Sequence, residues 1–295
     1  VAVGFALAVT LPRAGNLGGG GFMLIYDKAS NKVETIDYRS ASPKSAKSEM
    51  FIDGSSVARF GHLVNAVPGS VAGLVKAHKE HGKLTLAEVM KPSIRLARYG
   101  IPVTKDLNYA LEWSKESFLE NLVSKNKFYD EKENPVEISS SFKQPKLAKT
   151  LFLISKQGDK AFYKGEIAKW IEEDSLSNGG LITLKDLASY EAKDRTPISI
   201  NYRGYKIVSM APVASGGLVL LQIMSILENF DLEVLGPNSA ATIHLLSESM
   251  QRAYADRARY HGDPDYYDVP IKKLLSKEYL KSRSQSITNL RTEDG

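Results

Sequence analysis

Apolar and polar residues in the first forty positions predict one helix followed by two strands. Val1–Leu11 is almost wholly apolar and is followed by Pro12, which is typical of a buried helix and its end. After a glycine-rich loop, Phe22–Tyr26 is a continuous apolar run, and Val33–Tyr38 alternates with the two-residue period of a strand. The residues between these runs, Lys28–Lys32, have turn chemistry. The pattern therefore predicts a β-hairpin.

Further along the chain, apolar residues recur at helical spacing, with capping residues at several predicted helix starts. Thr85 followed by Glu88 is the pattern of a capping box, and Thr183 can cap another short helix. The predicted helices are Ser70–His81, Thr85–Tyr99, Leu107–Leu122, Pro145–Gln157, Gly165–Asn178, Leu184–Tyr190, Gly216–Glu228, Ser239–Ala258 and Ile271–Ser284.

A second strand pair is predicted at Ile198–Asn201 and Tyr205–Met210, on either side of Arg203-Gly204. Lys125–Phe142 is polar and aperiodic, so it is predicted to be an irregular surface segment. Because hairpins and helices occur in blocks without strict alternation of strand and helix, the pattern favours an α+β fold over a doubly wound sheet.

The chain has 295 residues, of which 43% are hydrophobic and 25% charged, as in an ordinary globular protein. We expect a single domain over residues 1–295. The net charge of +5 is spread along the chain with no basic run interleaved with aromatic residues, so no nucleic-acid partner is expected. The absence of cysteine excludes disulfides, thiol nucleophiles and cysteine-rich zinc sites.

The longest apolar run, Val1–Thr10, is about half as long as a membrane-spanning helix, which needs about 20 residues, so no transmembrane segment is expected. The chain starts without methionine inside a periodic segment, and residues 291–295 contain no closing element. Both ends are therefore expected to be truncated relative to the gene product.

Four consecutive glycines, Gly18 to Gly21, precede the first predicted strand. A phosphate-binding P-loop needs Gly-Lys and then Ser or Thr, whereas Gly21 is followed by Phe22. A dinucleotide-binding loop leads from a strand into a helix, and this loop leads from a helix into a strand. This order argues against nucleotide binding and predicts a loop where two backbones approach closely.

Two other stretches contain residue types that could bind a metal or act as a nucleophile. His261–Asp268 includes three aspartates, but the spacing is not that of a calcium loop and Pro264 favours a rigid turn. In Gly69–Gly73 the serine directly follows the first glycine, so the stretch is not a nucleophile elbow. Ser215 is predicted to cap a helix. Neither a metal nor a cofactor is expected.

Arg39 stands at the end of the second predicted strand, directly after Tyr38, and precedes a loop of small residues. A planar guanidinium can donate two parallel hydrogen bonds to a carboxylate, so an arginine fixed at a strand end is a candidate carboxylate ligand. Arginine is also common on solvated surfaces, and sequence position alone leaves both interpretations open.

Six segments, in order across nearly the whole chain, resemble the large subunit of the γ-glutamyltransferase (glutathione hydrolase) family. They contain GNLGGGG, DYRSASP and ASGG, and they are Val1–Leu24, Ile36–Pro43, Val67–Leu74, Asn178–Ser199, Asn201–Asp231 and Arg252–Pro270. Val213-Ala214 depart from the usual Pro-Ser, and Tyr38 stands where Phe is common. Lys125–Phe142 matches least well.

The resemblance implies an N-terminal-nucleophile hydrolase with a four-layer αββα sandwich, of which this chain supplies the large-subunit part. Members of the family make a precursor that cuts itself in two. The new N-terminal threonine of the small subunit is then the nucleophile, with its own α-amine as base. The cut site normally reads Thr-Thr-His, which does not occur here; the nearest string, Thr242–His244, lies inside a predicted helix. No catalytic residue is therefore expected in this chain.

The resemblance also implies the substrates and partners. The enzyme would cleave glutathione and other γ-glutamyl compounds and pass the acyl group to water or to an amino-acid or peptide acceptor. It would act as a heterodimer with the small subunit from the same precursor, in the periplasm or as a secreted protein. Arg39 would bind the α-carboxylate of the glutamyl group, because Asp37-Tyr38-Arg39 matches the family's Asp-Phe-Arg.

Two alternatives remain open at this point. One is a related enzyme of the same fold with another acyl group, such as a cephalosporin acylase or a polyglutamate-processing enzyme. The other is a non-catalytic homologue that binds a ligand or serves as a scaffold.

Overall fold

The computed structural model describes residues 1–51 and 61–288, so the terminal residues 291–295 lie outside the described part. Fifteen α-helices lie in the described ranges: α1 (Ala2–Thr10), α2 (Ser70–His81), α3 (Leu86–Tyr99), α4 (Lys105–Trp113), α5 (Lys115–Leu119), α6 (Leu122–Phe128), α7 (Pro145–Gln157), α8 (Asp159–Tyr163), α9 (Glu166–Ser177), α10 (Leu184–Ala188), α11 (Ser215–Leu227), α12 (Leu232–Leu235), α13 (Ala240–Tyr260), α14 (Ile271–Leu274) and α15 (Lys277–Gln285). None of these helices is long and apolar enough to cross a membrane.

Seven strands in the described ranges form three small sheets. The strands are β1 (Phe22–Asp27), β2 (Lys32–Asp37), β3 (Ile101–Pro102), β4 (Ser141–Phe142), β5 (Lys193–Arg195), β6 (Ile198–Tyr202) and β7 (Tyr205–Ser209). The sheets have the strand orders β1-β2-β5, β3-β4 and β6-β7. Both predicted hairpins are therefore confirmed.

The chain divides into two compact units. One is formed by Val1–Gly21 and Asp37–Lys193, and the other by Phe22–Ile36 and Asp194–Gly295. This division does not test the prediction of a single domain over residues 1–295, which stays a prediction.

The first unit is built around three helices, since α3 packs against both α1 and α7. Each helix contributes a fully buried apolar side chain to this unit: Phe5 from α1, Met90 from α3 and Leu151 from α7. Burying a side chain of this size stabilises a fold by roughly 1.5–3 kcal/mol. The buried side chain of Gln144 adds a polar tie, because its Nε2 donates to the carbonyl of Val9 at 2.9 Å.

The second unit has its core between α11 and the β6–β7 hairpin. Leu218 and Leu221 of α11 are fully buried and cluster with Ile198 and Leu274. The hairpin closes through Arg203-Gly204, where both residues have positive φ, 48° and 85°. Positive φ at both central residues is the geometry of the two-residue turn that matches the twist of paired strands.

Two predicted segments are wrong in the first unit. The predicted helix Leu107–Leu122 is broken into α4 and α5, and a third helix, α6, begins at Leu122. Asn121 causes this new start, because its side chain accepts a hydrogen bond from the Ser124 N–H and caps α6. Lys125–Phe142 is not wholly irregular, since α6 continues to Phe128 and stacks its last ring on Phe142, with centroids 5.5 Å apart.

The predicted helix Ile271–Ser284 is also wrong, because it is divided into α14 and α15. Ser276 caps α15 by accepting a hydrogen bond from the Tyr279 N–H. The short helix α8 and the three-residue strand β5 were not predicted, because segments of this length have too few residues to display a period. The other predicted helices are confirmed, and Ser70–His81 and Pro145–Gln157 have the predicted bounds.

Asp186 joins two parts of the first unit that are far apart in sequence. One carboxylate oxygen accepts the Lys44 N–H at 3.0 Å, and the other accepts the Thr183 hydroxyl and N–H, which completes a capping box at the start of α10. Burial raises the pKa of Asp186, but the hydrogen bonds from Thr183 and Lys44 outweigh burial, so the pKa lies below its ordinary value. The ionised carboxylate therefore fixes the chain that follows Arg39 to α10.

Replacing Gly73 should test how closely α2 approaches the end of β2. Gly→Ala inside a helix normally stabilises by about 1 kcal/mol, but a Cβ at Gly73 would overlap the ring of Tyr38. We expect Gly73→Ala to lower the free energy of unfolding by about 2 kcal/mol, measured by urea denaturation. The control is Gly216→Ala in α11, where a Cβ meets no atom within 4 Å and stability should hold or rise. Unchanged stability in Gly73→Ala would contradict this packing.

Asp186→Asn should destabilise the protein in a pH-dependent way. Because the pKa of Asp186 is lowered on folding, its contribution is present above the unfolded-state pKa of about 4 and is lost as the pH falls through the folded-state pKa. We expect a loss of about 1–2 kcal/mol at pH 7 that shrinks below about pH 4, measured by denaturation at a series of pH values. Glu88→Gln, in the exposed capping box of α3, is the control and should change stability less. A difference that does not vary with pH would refute the role of the charge.

Candidate functional site

Arg39 lies two residues after the end of β2, and its backbone is held by two side chains. Its N–H donates to Oδ1 of Asp37 at 3.0 Å, and its carbonyl accepts the hydroxyl of Tyr190 at 2.7 Å. The Arg39 side chain is exposed, and within residues 1–51 and 61–288 no acceptor pairs with its guanidinium. The structure therefore combines a fixed backbone with an exposed cationic fork at this position.

The glycine loop, residues Gly18–Gly21, runs beside the chain that carries Arg39. Gly21 and Tyr38 exchange two backbone hydrogen bonds, of 3.2 and 3.0 Å. A Cβ at Gly20 would collide with the backbone of Tyr38 and Ser40. The prediction that two backbones approach closely at these glycines is confirmed.

The glycine loop also contacts the start of α2. The carbonyl of Gly19 accepts the N–H groups of Gly69 at 2.8 Å and of Ser70 at 3.0 Å. The first N–H groups of a helix have no partner within the helix, and no side chain caps α2, so this carbonyl satisfies two of these N–H groups. Ser70 is thus a buried first residue of a helix.

A second backbone connection ties the Arg39 region to the residues before α2. Ala41 and Val67 exchange hydrogen bonds of 3.1 and 2.8 Å as an isolated antiparallel bridge. Residues 38–41 are therefore hydrogen-bonded to two other segments of the first unit. Tyr38 bonds to the glycine loop, and Ala41 bonds to Val67. The backbone of Arg39 therefore has little freedom to rotate.

Two side chains that fix this region from a distance, Tyr190 and Asp186, were not predicted from the sequence. Tyr190 and Asp186 both belong to the predicted helix Leu184–Tyr190, and neither stood out from its position in that helix. Thr183 followed three residues later by Asp186 is a recognisable capping box, but the contact of Asp186 with Lys44 has no local sequence signal. The tyrosine contact likewise joins residues 151 positions apart.

The aspartate-rich stretch His261–Asp268 is a structural turn in the second unit. Asp265 receives two parallel hydrogen bonds from Arg195, of 2.7 and 2.8 Å, and its N–H donates to Asp263. Among the residues that the structure describes, no group of three or more His, Asp or Glu side chains could hold a metal ion.

Two hydroxyl residues discussed from the sequence also have structural contacts. Ser215 does not cap α11 as predicted: Ala214 holds the cap position, and Ser215 accepts a hydrogen bond of 2.9 Å from Nε of Arg257. Thr242 lies inside α13, as expected, and its hydroxyl donates to the carbonyl of Gly236 at 2.8 Å. Both hydroxyls therefore make hydrogen bonds within the second unit.

Comparison with known proteins gives one family over the whole chain. A family model described as gamma-glutamyltranspeptidase matches residues 1–294. The glutathione hydrolase proenzyme of Escherichia coli K12 is 43% identical over 292 residues, which is 97% of this chain and 50% of that protein. The chain thus spans about half the length of the curated relatives that it matches.

Solved structures agree on the fold. The crystal structure of Helicobacter pylori γ-glutamyltranspeptidase has a TM-score of 0.96 at 40% identity, covering 99% of this chain and 85% of that chain. The γ-glutamyltranspeptidase of Pseudomonas nitroreducens, complexed with L-DON, has a TM-score of 0.92 at 37% identity, covering 99% of this chain and 88% of that chain.

More distant structures extend the likeness to related N-terminal-nucleophile hydrolases. The Bacillus anthracis transpeptidase CapD has a TM-score of 0.76 at 29% identity, and a cephalosporin acylase from Bacillus halodurans has 0.84 at 27%. The predicted α+β class and the N-terminal-nucleophile hydrolase fold are therefore confirmed. The assignment of Arg39 as a carboxylate ligand stays a prediction. Since the family model matches residues 1–294, this chain belongs to the γ-glutamyltranspeptidase family.

Proposed function

We propose that this chain is the large-subunit part of a γ-glutamyltransferase and glutathione hydrolase. The observation that carries the proposal is Arg39, an exposed guanidinium on a fixed backbone, in the Asp-Tyr-Arg stretch that resembles the family's Asp-Phe-Arg. The partner is a small subunit from the same precursor. Relatives that are proenzymes, and that are about twice as long as the part matched here, support that partner.

The reaction in this proposal takes place on the small subunit. The hydroxyl of its N-terminal threonine attacks the γ-glutamyl carbonyl, and the hydroxyl proton passes to the threonine's own α-amine. The tetrahedral intermediate then expels the amine of the donor, which takes up that proton, and leaves a γ-glutamyl ester. Water or the amine of an acceptor attacks the ester and restores the threonine hydroxyl.

Arg39 contributes binding and orientation to this reaction. Its two parallel N–H donors fit the two oxygens of the glutamyl α-carboxylate, which a lysine ammonium cannot match as a fork. A carboxylate held at one end of the γ-glutamyl group fixes where the scissile carbonyl lies at the other end. Because the backbone of Arg39 is already ordered by Asp37 and Tyr190, only its side chain has to be ordered further on binding.

The proposal includes a location in the periplasm or outside the cell. The likeness to bacterial members of the family supports it. Fractionation of producing cells tests it, and activity confined to the cytoplasmic fraction would overturn it.

An acylase of the same fold is the second candidate, and the likeness to the Bacillus halodurans cephalosporin acylase favours keeping it. A glutaryl group retains the terminal carboxylate and lacks the α-amine, so Arg39 fits both donors and the contacts to the α-amine discriminate between them. Rates of glutathione and glutaryl-cephalosporin hydrolysis by the heterodimer separate the two candidates. We expect faster turnover of glutathione, because the similarity to γ-glutamyltranspeptidases is higher.

The third possibility, a non-catalytic homologue, is tested by the gene. A threonine at the precursor's cut site supports the enzyme, and the loss of that residue supports a binding or scaffold role.

Arg39→Ala should lower kcat/KM for γ-glutamyl-p-nitroanilide by about 100-fold or more, since two charge-assisted hydrogen bonds contribute roughly 3 kcal/mol. Arg39→Lys should recover only a small part of this loss, because it restores the charge without the fork. Self-cleavage and thermal stability should persist in both variants, since the side chain is exposed.

The matched control is Arg98→Ala, which removes another exposed arginine from the same unit and should leave kinetics unchanged. A near-normal KM for the donor in Arg39→Ala would overturn the assignment of Arg39.

A further inference from the structure

The backbone of Tyr190, whose hydroxyl contacts the Arg39 carbonyl, is fixed by a hydrogen-bonded turn. Tyr190 follows α10, and its N–H donates to the carbonyl of Leu187 at 3.1 Å, so its backbone is held in a turn. Leu187 is fully buried and anchors that turn in the first unit. The tyrosine hydroxyl then donates to the carbonyl of Arg39 at 2.7 Å. The short distance is typical of a well-formed O–H···O hydrogen bond.

The ring of Tyr190 is held by a second tyrosine. It stacks on Tyr163 with centroids 5.6 Å apart and planes 11° from parallel. The Tyr163 hydroxyl donates to the carbonyl of Pro68 at 2.8 Å and accepts the N–H of Ala72 at 3.2 Å. Both rings also line a surface cavity of about 410 Å³, which leaves open space beside the Tyr190 ring. Stacking on Tyr163 limits the rotation of that ring. The pair thereby links the start of α2 to Arg39.

Gly69 leaves space for the tyrosine hydroxyl. A Cβ at Gly69 would collide with both the Tyr190 hydroxyl and the Tyr38 carbonyl. The hydroxyl therefore occupies a position that only glycine permits, beside the peptide that precedes Arg39. Burial raises the pKa of Tyr163 and of Tyr190, so both hydroxyls keep their protons and remain donors through the working pH range of an enzyme.

We propose that Tyr190, held by Tyr163, is a positioning residue that directs the Arg39 guanidinium toward the glutamyl α-carboxylate. This inference rests on the proposed function. The hydroxyl fixes the peptide plane that follows the Arg39 Cα, and that plane sets where the arginine side chain begins. A small rotation there is amplified along the long side chain, and a displacement of about 1 Å can reduce a rate by roughly 100-fold.

The test replaces the hydroxyl and keeps the ring. Tyr190→Phe, in the assembled heterodimer, should retain stacking on Tyr163 and lower kcat/KM for γ-glutamyl-p-nitroanilide by about 5- to 30-fold. The loss should fall mainly on KM, because Arg39 binds the α-carboxylate in the ground state as well as in the transition state. Self-cleavage and thermal stability should stay close to those of the wild type.

A double-mutant cycle distinguishes positioning from a general structural role. If Tyr190 acts through Arg39, adding Tyr190→Phe to Arg39→Ala should cause no further loss, since the group being positioned is gone. The matched control is Tyr129→Phe, which removes another tyrosine-to-carbonyl hydrogen bond in the same unit, 2.6 Å to Leu111, and should leave KM unchanged.

Each outcome decides the proposal. A wild-type KM in Tyr190→Phe, with Arg39→Ala impaired, overturns the positioning role and leaves the proposed function intact. The proposal is also overturned if Tyr190→Phe lowers kcat/KM by the same factor in the Arg39→Ala background as in the wild type. That result would show that Tyr190 acts independently of Arg39. If Arg39→Ala itself is normal, the binding role of Arg39 and the inference fall together.

Tyr163→Phe provides a second variant, which removes the contacts to Pro68 and Ala72 and keeps the stacked ring. A smaller rise in KM, again absent in the Arg39→Ala background, supports the proposal. A rise that persists in that background contradicts it.

Discussion

The close approach of three backbone segments is the constraint on which the Arg39 region depends. Residues 38–40 share hydrogen bonds or van der Waals contact with the glycine loop and with Gly69 at the start of α2. Peptide groups this close leave no space for a Cβ at Gly20 or at Gly69, so packing explains these two glycines. Since Gly19 also satisfies the first N–H groups of α2, the same loop completes a helix and supports a strand end.

This packing has a consequence for binding. An arginine side chain is flexible, and ordering such a chain opposes association by roughly 0.5–1.5 kcal/mol. Here the backbone amide and carbonyl of Arg39 are both bonded in the free chain, so the ordering that remains is that of the exposed side chain. Among the residues that the structure describes, no acceptor neutralises this guanidinium, so the carboxylate in our proposal would meet an unpaired cation.

The sequence predicted helix existence better than helix boundaries, for a physical reason. The period of apolar residues reports which face of a helix is buried. The same period can run on past the end of one helix into the next, if apolar residues keep the same spacing. The prediction Leu107–Leu122 followed such a pattern, while the Asn121 cap started a new helix at Leu122. Lys125–Phe142 failed in the opposite way, because its polar composition hid the buried Tyr129 and Phe142.

The sequence by itself determined the family, the α+β class, the glycine loop as a packing element and Arg39 as the candidate ligand. Each of these depends on local order or on motif identity. Only the tertiary structure decided what holds Arg39 in place, because the contacts of Tyr190 with Arg39 and of Asp186 with Lys44 join residues 151 and 142 positions apart. A tyrosine hydroxyl has no local preference for a distant carbonyl, so the folded packing selects its partner.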